Sequence, residues 1–90
     1  MLPVVVHEAL IRSFSFYGEG GIHEGMSHGQ QLYKLVESYK MPARLQAYAL
    51  GCDLSNQGHR TVITVSDRKY KVWLELRSQA LIKTAKDVLK

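Results

Sequence analysis

Cysteine is nearly missing. Cys52 stands alone among 90 residues, which excludes an intrachain disulfide and a cysteine-built zinc cage and leaves packing to hold the fold. No apolar run approaches the roughly 20 residues that a bilayer-spanning helix needs; the longest cover residues 4–6 and 47–50. The opening MLPVVVHEAL has neither a basic leader region nor a small-residue cleavage site, so the expected setting is cytoplasmic, without membrane contact. Internal repeats and low-complexity tracts are also absent, which excludes solenoids and linker-separated domains. What is present, 46% hydrophobic and 22% charged residues, is the balance of one globular domain. A chain this short buries only about 60 to 65% of its unfolded surface, so a homodimer covering more apolar area is the default expectation.

Charge is segregated. Through Gly58 there are four basic and five acidic residues, and from His59 onward eight basic and three acidic, a net of −1 followed by +5. Such asymmetry favours a polyanionic partner, although a solvated basic face gives the same pattern.

The clearest element is a hairpin in TVITVSDRKYKVWLEL. A four-residue turn from Ser66 to Lys69 pairs Val65 with Tyr70, Ile63 with Val72 and Thr61 with Leu74 on one face. The other face then carries Val62, Thr64, Lys71, Trp73 and Glu75. Upstream, SHGQQLYKLVESYK reads as a helix over residues 27–40, with Ser27 and Gln30 as a capping box and Leu32, Leu35, Val36 and Tyr39 on one face. Pro42 ends it. SQALIKTAKDVLK reads as a second helix over 79–90, capped by Ser78. ARLQAYALGCDL fits either a helix facing Leu45, Tyr48, Ala49 and Cys52 inward or a strand with a small-residue face; the strand is preferred, because SNQGH then closes a three-stranded meander. PVVVHEALIRSFSFY is divided in the same way and leans to strand.

Three motifs suggest chemistry, and each departs from what that chemistry needs. Gly20-x-x-x-x-Gly25-Met26-Ser27 has phosphate-loop spacing, but Met26 occupies the lysine position and Glu19 and Glu24 would repel a polyphosphate. The stretch reads as a flexible connector. His23 and His28 lie five residues apart where a zincin helix needs four, so a site of His23, Glu24 and His28, with His7 or His59 added, requires a loop to gather them; that alternative stays open. Cys52, Asp53 and His59 are close in sequence, but no identifiable helix terminus or cation stands beside the thiol to activate it as a nucleophile. The expectation is a protein that is not an enzyme and carries no cofactor.

The helix before a proline (LYKLVESYKMP), a strand, a loop with Gly and His (QGH), a hairpin beginning TVITV and a lysine-bearing helix give residues 28–90 an order that resembles the double-stranded RNA-binding domain. The resemblance implies RNA contacts from Gln30, Gln31 and Glu37, from His59, and from Lys83 and Lys86. The last helix begins SQALIK, without the family's paired lysines.

The sequence therefore predicts a single α+β domain: an antiparallel sheet of three or four strands with two helices on one face. Residues 1–26 form an N-terminal strand or arm plus a glycine-rich loop, and 27–90 an αβββα core. The expected function is a binding module that meets a nucleic-acid backbone or an acidic protein through Arg60, Lys69, Lys71, Trp73, Arg77, Lys83 and Lys86. The alternative is a homo-oligomeric interaction domain with Trp73, Tyr48 and the valine-rich N-terminus between subunits.

Overall fold

The computed structural model describes residues 2–77. Strands β1 (Val4–His7) and β2 (Arg12–Gly18) are joined by a 3-10 turn at Glu8–Leu10. Strands β3 (Gly21–His28) and β4 (Gln31–Lys40) follow, then a 3-10 turn at Met41–Ala43, helix α1 (Arg44–Asn56), β5 (Thr61–Val65) and β6 (Lys69–Glu75). The six strands form one sheet in the order β1-β5-β6-β4-β3-β2. Only the β1–β5 pair is parallel. This corrects the expected antiparallel sheet of three or four strands with two helices on one face: the sheet is mixed, with six strands, and α1 is the one full helix among the described residues. The second expected helix, 79–90, lies outside them.

That strand order bends the sheet. β1 and β2 are its opposite edges, about 24 Å apart if six strands lay flat, yet the chain from His7 to Arg12 reaches no more than roughly 17 Å fully extended. The sheet must curl until its edges approach. The concave side becomes an interior of Met26, Tyr33, Val62 and Trp73, with Val6 and Ile11 packed on it from either side of the connecting turn. The convex side of β5 and β6 presents Ile63 and Val72 to Ala47 of α1, flanked by Leu50 and Leu54.

The hairpin register is as read from the sequence: Val65 opposes Tyr70, Ile63 opposes Val72 and Thr61 opposes Leu74. Ser66 holds the turn, its N–H donating to the Lys69 carbonyl and its Oγ accepting from the Arg68 and Lys69 N–H groups. The expected N-terminal strand is present as two, β1 and β2. The glycine-rich connector is not a flexible link but part of the β2–β3 hairpin.

Two elements exchange type. The expected helix over 27–40 is β4, and a bulge explains the misleading pattern. Leu35 pairs with Trp73 while Glu37 pairs with Val72, so Val36 is an extra residue and the alternation changes phase. Tyr33 and Leu35 then face the concave interior and Tyr39 the convex side, which produces helix-like spacing. The expected strand at ARLQAYALGCDL is α1. Its inward stripe is Ala47, Gly51 and Ser55, while Leu45 is 81% exposed. SNQGH closes the helix instead of a meander. Gly58, at φ 91°, donates to the Ser55 carbonyl, and His59 N–H donates to that of Leu54, the paired bonds of a Schellman cap.

The small stripe lets α1 lie close on the sheet. A Cβ at Gly51 would sit 2.8 Å from Ile63 Cδ1 and 3.3 Å from Pro3 Cγ. Gly51→Leu should therefore lose about 2 kcal/mol by overpacking, read from urea denaturation, whereas Gly51→Ala regains about 1 kcal/mol of helix propensity and stays near wild type. An unchanged midpoint for Gly51→Leu would mean that the helix is not seated on β5.

Candidate functional site

The concave face holds a polar cluster at one end. Trp73 is fully buried, and its Nε1–H donates to Thr64 Oγ1 at 2.8 Å. Two residues earlier on β6 and on the same face, Lys71 is 18% exposed. Its Nζ lies 3.0 Å from Glu24 Oε1, 3.6 Å from Glu8 Oε1 and 5.9 Å from the Trp73 ring centroid. Strand alternation turns Glu24 of β3 inward, and the turn between β1 and β2 carries Glu8 over the same point. With both carboxylates partly solvated, each pair contributes about 1 kcal/mol or less. The chemical consequence is larger: the Lys71 charge is already matched by two protein carboxylates.

At the opposite end a cleft of about 560 Å³ opens beside Tyr33, lined by Leu2, His28, Gln31, Ser55 and Arg60 among others. Arg60 Nε lies 3.2 Å from Oε2 of the buried Glu75. Burial raises the Tyr33 phenol above its ordinary 10.0; the Glu75 charge adds to the rise and Arg60 opposes it.

The predicted cations do not converge. Lys69 and Arg77 flank β6 at its two ends, more than about 20 Å apart at strand rise. Lys71 faces the interior between them, and Arg60 is paired across from Glu75. The expected basic surface is therefore not a single field among the described residues; Lys83 and Lys86 lie outside them. Trp73 offers no ring face to a base, and its burial is within its own chain, not between subunits. Tyr48 is 39% exposed on α1.

The positions implied by the RNA-binding resemblance are also separated. Gln30 is in the β3–β4 turn, Gln31 and Glu37 lie on either side of the β4 bulge, and His59 follows α1. Of the metal candidates, His23 faces the convex side, its Nε2 2.7 Å from the Glu19 carbonyl oxygen, while Glu24 and His28 face the concave side. No group of three metal-ligating side chains gathers among the described residues, and none of their helices is long and apolar enough to cross a membrane.

The β2–β3 hairpin is the feature that sequence reading missed. β3 pairs with β4 only through Gly25–His28, so residues 21–24 and their β2 partners 15–18 form a two-stranded arm. Tyr17 and Ile22 oppose each other there at 86% and 67% exposure. On the other face Phe14, Phe16 and His23 stack in a row, with centroids 6.1 and 5.6 Å apart. The Phe14 ring lies over Gly25, where a Cβ would approach it to 2.7 Å. From Ser13 to Gly18 the strand has no charge. The alternation of RSFSFYG was the available signal.

Compared with known proteins, the chain matches no family model, no curated protein and no solved structure.

Two outcomes test the polar interior. Thr64→Val leaves the Trp73 N–H buried and unpaired and should cost about 1–3 kcal/mol; in a Trp73→Phe background the same change should cost far less, as a urea double-mutant cycle would read. The second concerns pH. Because the folded state holds the Tyr33 proton more tightly than the unfolded chain, that stabilisation is complete below about pH 10 and lost as pH rises through the folded value. Tyr33→Phe should flatten the alkaline fall in thermal midpoint, and an unchanged fall would place its cause elsewhere.

Proposed function

We propose that the protein is a non-enzymatic interaction module that recruits its partner by strand addition at β2. The observation that carries this reading is an uncharged strand whose outer edge has no ladder partner among the described residues, within an arm that has no third strand among them. Exposed edges invite pairing, and soluble proteins blunt them with lysine, proline or bulges; β2 has none of these from Ser13 to Gly18. Two-stranded ribbons are marginal in water, so a third strand would stabilise the arm and cover its aromatic row.

The hydrogen-bonding sites follow from the hairpin. Gly18 and Gly21 close a two-residue loop, which makes them a bonded pair, and the ladder alternates from there. Ser13, Ser15 and Tyr17 therefore turn their N–H and C=O groups outward. An extended peptide bonded to them would place alternate side chains against Phe14 and Phe16, the arrangement by which strand-adding domains gain specificity. A cytoplasmic setting belongs to the same reading, and the Cys52 thiol on α1 suits it. The polyanion reading draws less support, since Lys71 and Arg60 are engaged by carboxylates and Trp73 is buried.

A displayed library of random peptides tests the proposal. Enriched peptides should bind wild type and Ser15→Ala alike and lose at least tenfold in affinity to Ser15→Pro, which removes an outward N–H and spares the β2–β3 ladder. Binding indifferent to Ser15→Pro would overturn it.

A further inference from the structure

The strand that β2 accepts has a chemistry that β2 itself supplies. We infer that the partner is a second copy of this chain, joined by antiparallel pairing of β2 with the partner's β2 about a two-fold axis at Ser15; this rests on the strand-addition reading above.

The register follows from matching outward groups to outward groups over the greatest length. With the axis at Ser15, all seven residues Arg12–Gly18 find partners: Ser15 faces the partner's Ser15, Ser13 the partner's Tyr17, and Arg12 the partner's Gly18. A two-fold contact must be complementary to itself, and this strand is. On the convex face Phe14 meets the partner's Phe16 and Phe16 meets the partner's Phe14, so four phenyl rings form one row. On the concave face the small Ser13 leaves room for the bulky Tyr17 of the other copy. No like charges oppose each other, because residues 13–18 carry none. Arg12 instead comes beside the partner's Glu19, one residue beyond β2, and the pairing repeats across the axis.

Each arm gains its missing third strand in the same step. The two sheets become one, and the apolar surface at Phe14 and Tyr17, exposed in the single chain, is reduced. β1, the other edge without a ladder partner among the described residues, is a lesser candidate at four residues. One strand pair and four rings lie at the small end of specific interfaces, so the association is reversible, with a dissociation constant in roughly the micromolar range.

Cross-linking of the full chain in a Cys52→Ser background is decisive. At a bonded antiparallel pair the Cα atoms are about 5.5 Å apart, within disulfide reach. Ser15→Cys should therefore oxidise to a covalent dimer, while Ser13→Cys, whose mates lie roughly 13 Å apart along the paired strands, should not. Sedimentation equilibrium gives a second reading: Arg12→Glu should weaken the dimer roughly five- to tenfold at low salt, and adding Glu19→Arg should restore it. Monomer throughout the micromolar range, with displayed peptides still bound at β2, would overturn self-pairing and leave strand addition standing. A dimer that forms without a Ser15→Cys cross-link would also overturn it, placing the contact elsewhere. Failure of both self-association and peptide binding would remove strand addition as well.

Discussion

The shortness of the chain between His7 and Arg12 is the constraint on which the rest depends. Because β1 and β2 are opposite edges of the sheet, a link of this length fits only a curled sheet. Curling converts one face into an enclosed interior, where Trp73 is buried against Met26, Tyr33 and Val62, with Val6 and Ile11 closing over it. The same link carries Glu8 to Lys71. A longer connection would relax the requirement, and the concave side would become an ordinary solvated sheet face with a tryptophan on it.

Local information was legible in the sequence and non-local information was not. The hairpin at 61–75 could be read to the residue because its pairing is between near neighbours and its period is two. The side of that hairpin that faces solvent could not be read, because neither does: α1 covers Ile63 and Val72 while the curl covers Val62 and Trp73. β4 imitated a helix because the bulge at Val36 shifts an alternating pattern by one residue, so that Leu32, Leu35, Val36 and Tyr39 acquire helical spacing. α1 imitated a strand for the complementary reason. Its fully buried stripe is made of small residues, flanked by Leu50 and Leu54, while two of its large apolar side chains, Leu45 and Tyr48, point outward. A Gly two residues past Asn56 was the cue that would have ended a helix there.

Segregation of charge along the chain did not become segregation in space. The acidic half and the basic half meet at the rim of the concave face: Glu8 and Glu24 come from the first, Lys71 from the second. Counting charges by segment cannot anticipate this, because the pairing crosses 47 residues between Glu24 and Lys71 and depends on the curl. Lys71 is also confined by its position. It precedes Trp73 by two residues on the concave face of β6, held between Glu8 and Glu24. The sequence placed Lys71 and Trp73 on a common face correctly and had no means of showing that this face is roofed.

The treatment of the edge strands is uneven in a way that packing does not explain. Lys34, Lys40 and Lys69 lie on interior strands β4 and β6, where ladder neighbours already occupy the backbone, whereas β2 has only Arg12 at its first position. A strand under pressure solely to stay monomeric would carry lysines at Ser13 or Ser15, where they would cost little on an exposed surface. Instead small serines stand on the concave face of β2 and phenylalanines on its convex face. Phe14 and Phe16 lie across Gly25 instead of into the core, so their apolar area serves the arm alone. A strand paired at β2 would stabilise this arm, and its occupancy and its order would then be one coupled equilibrium.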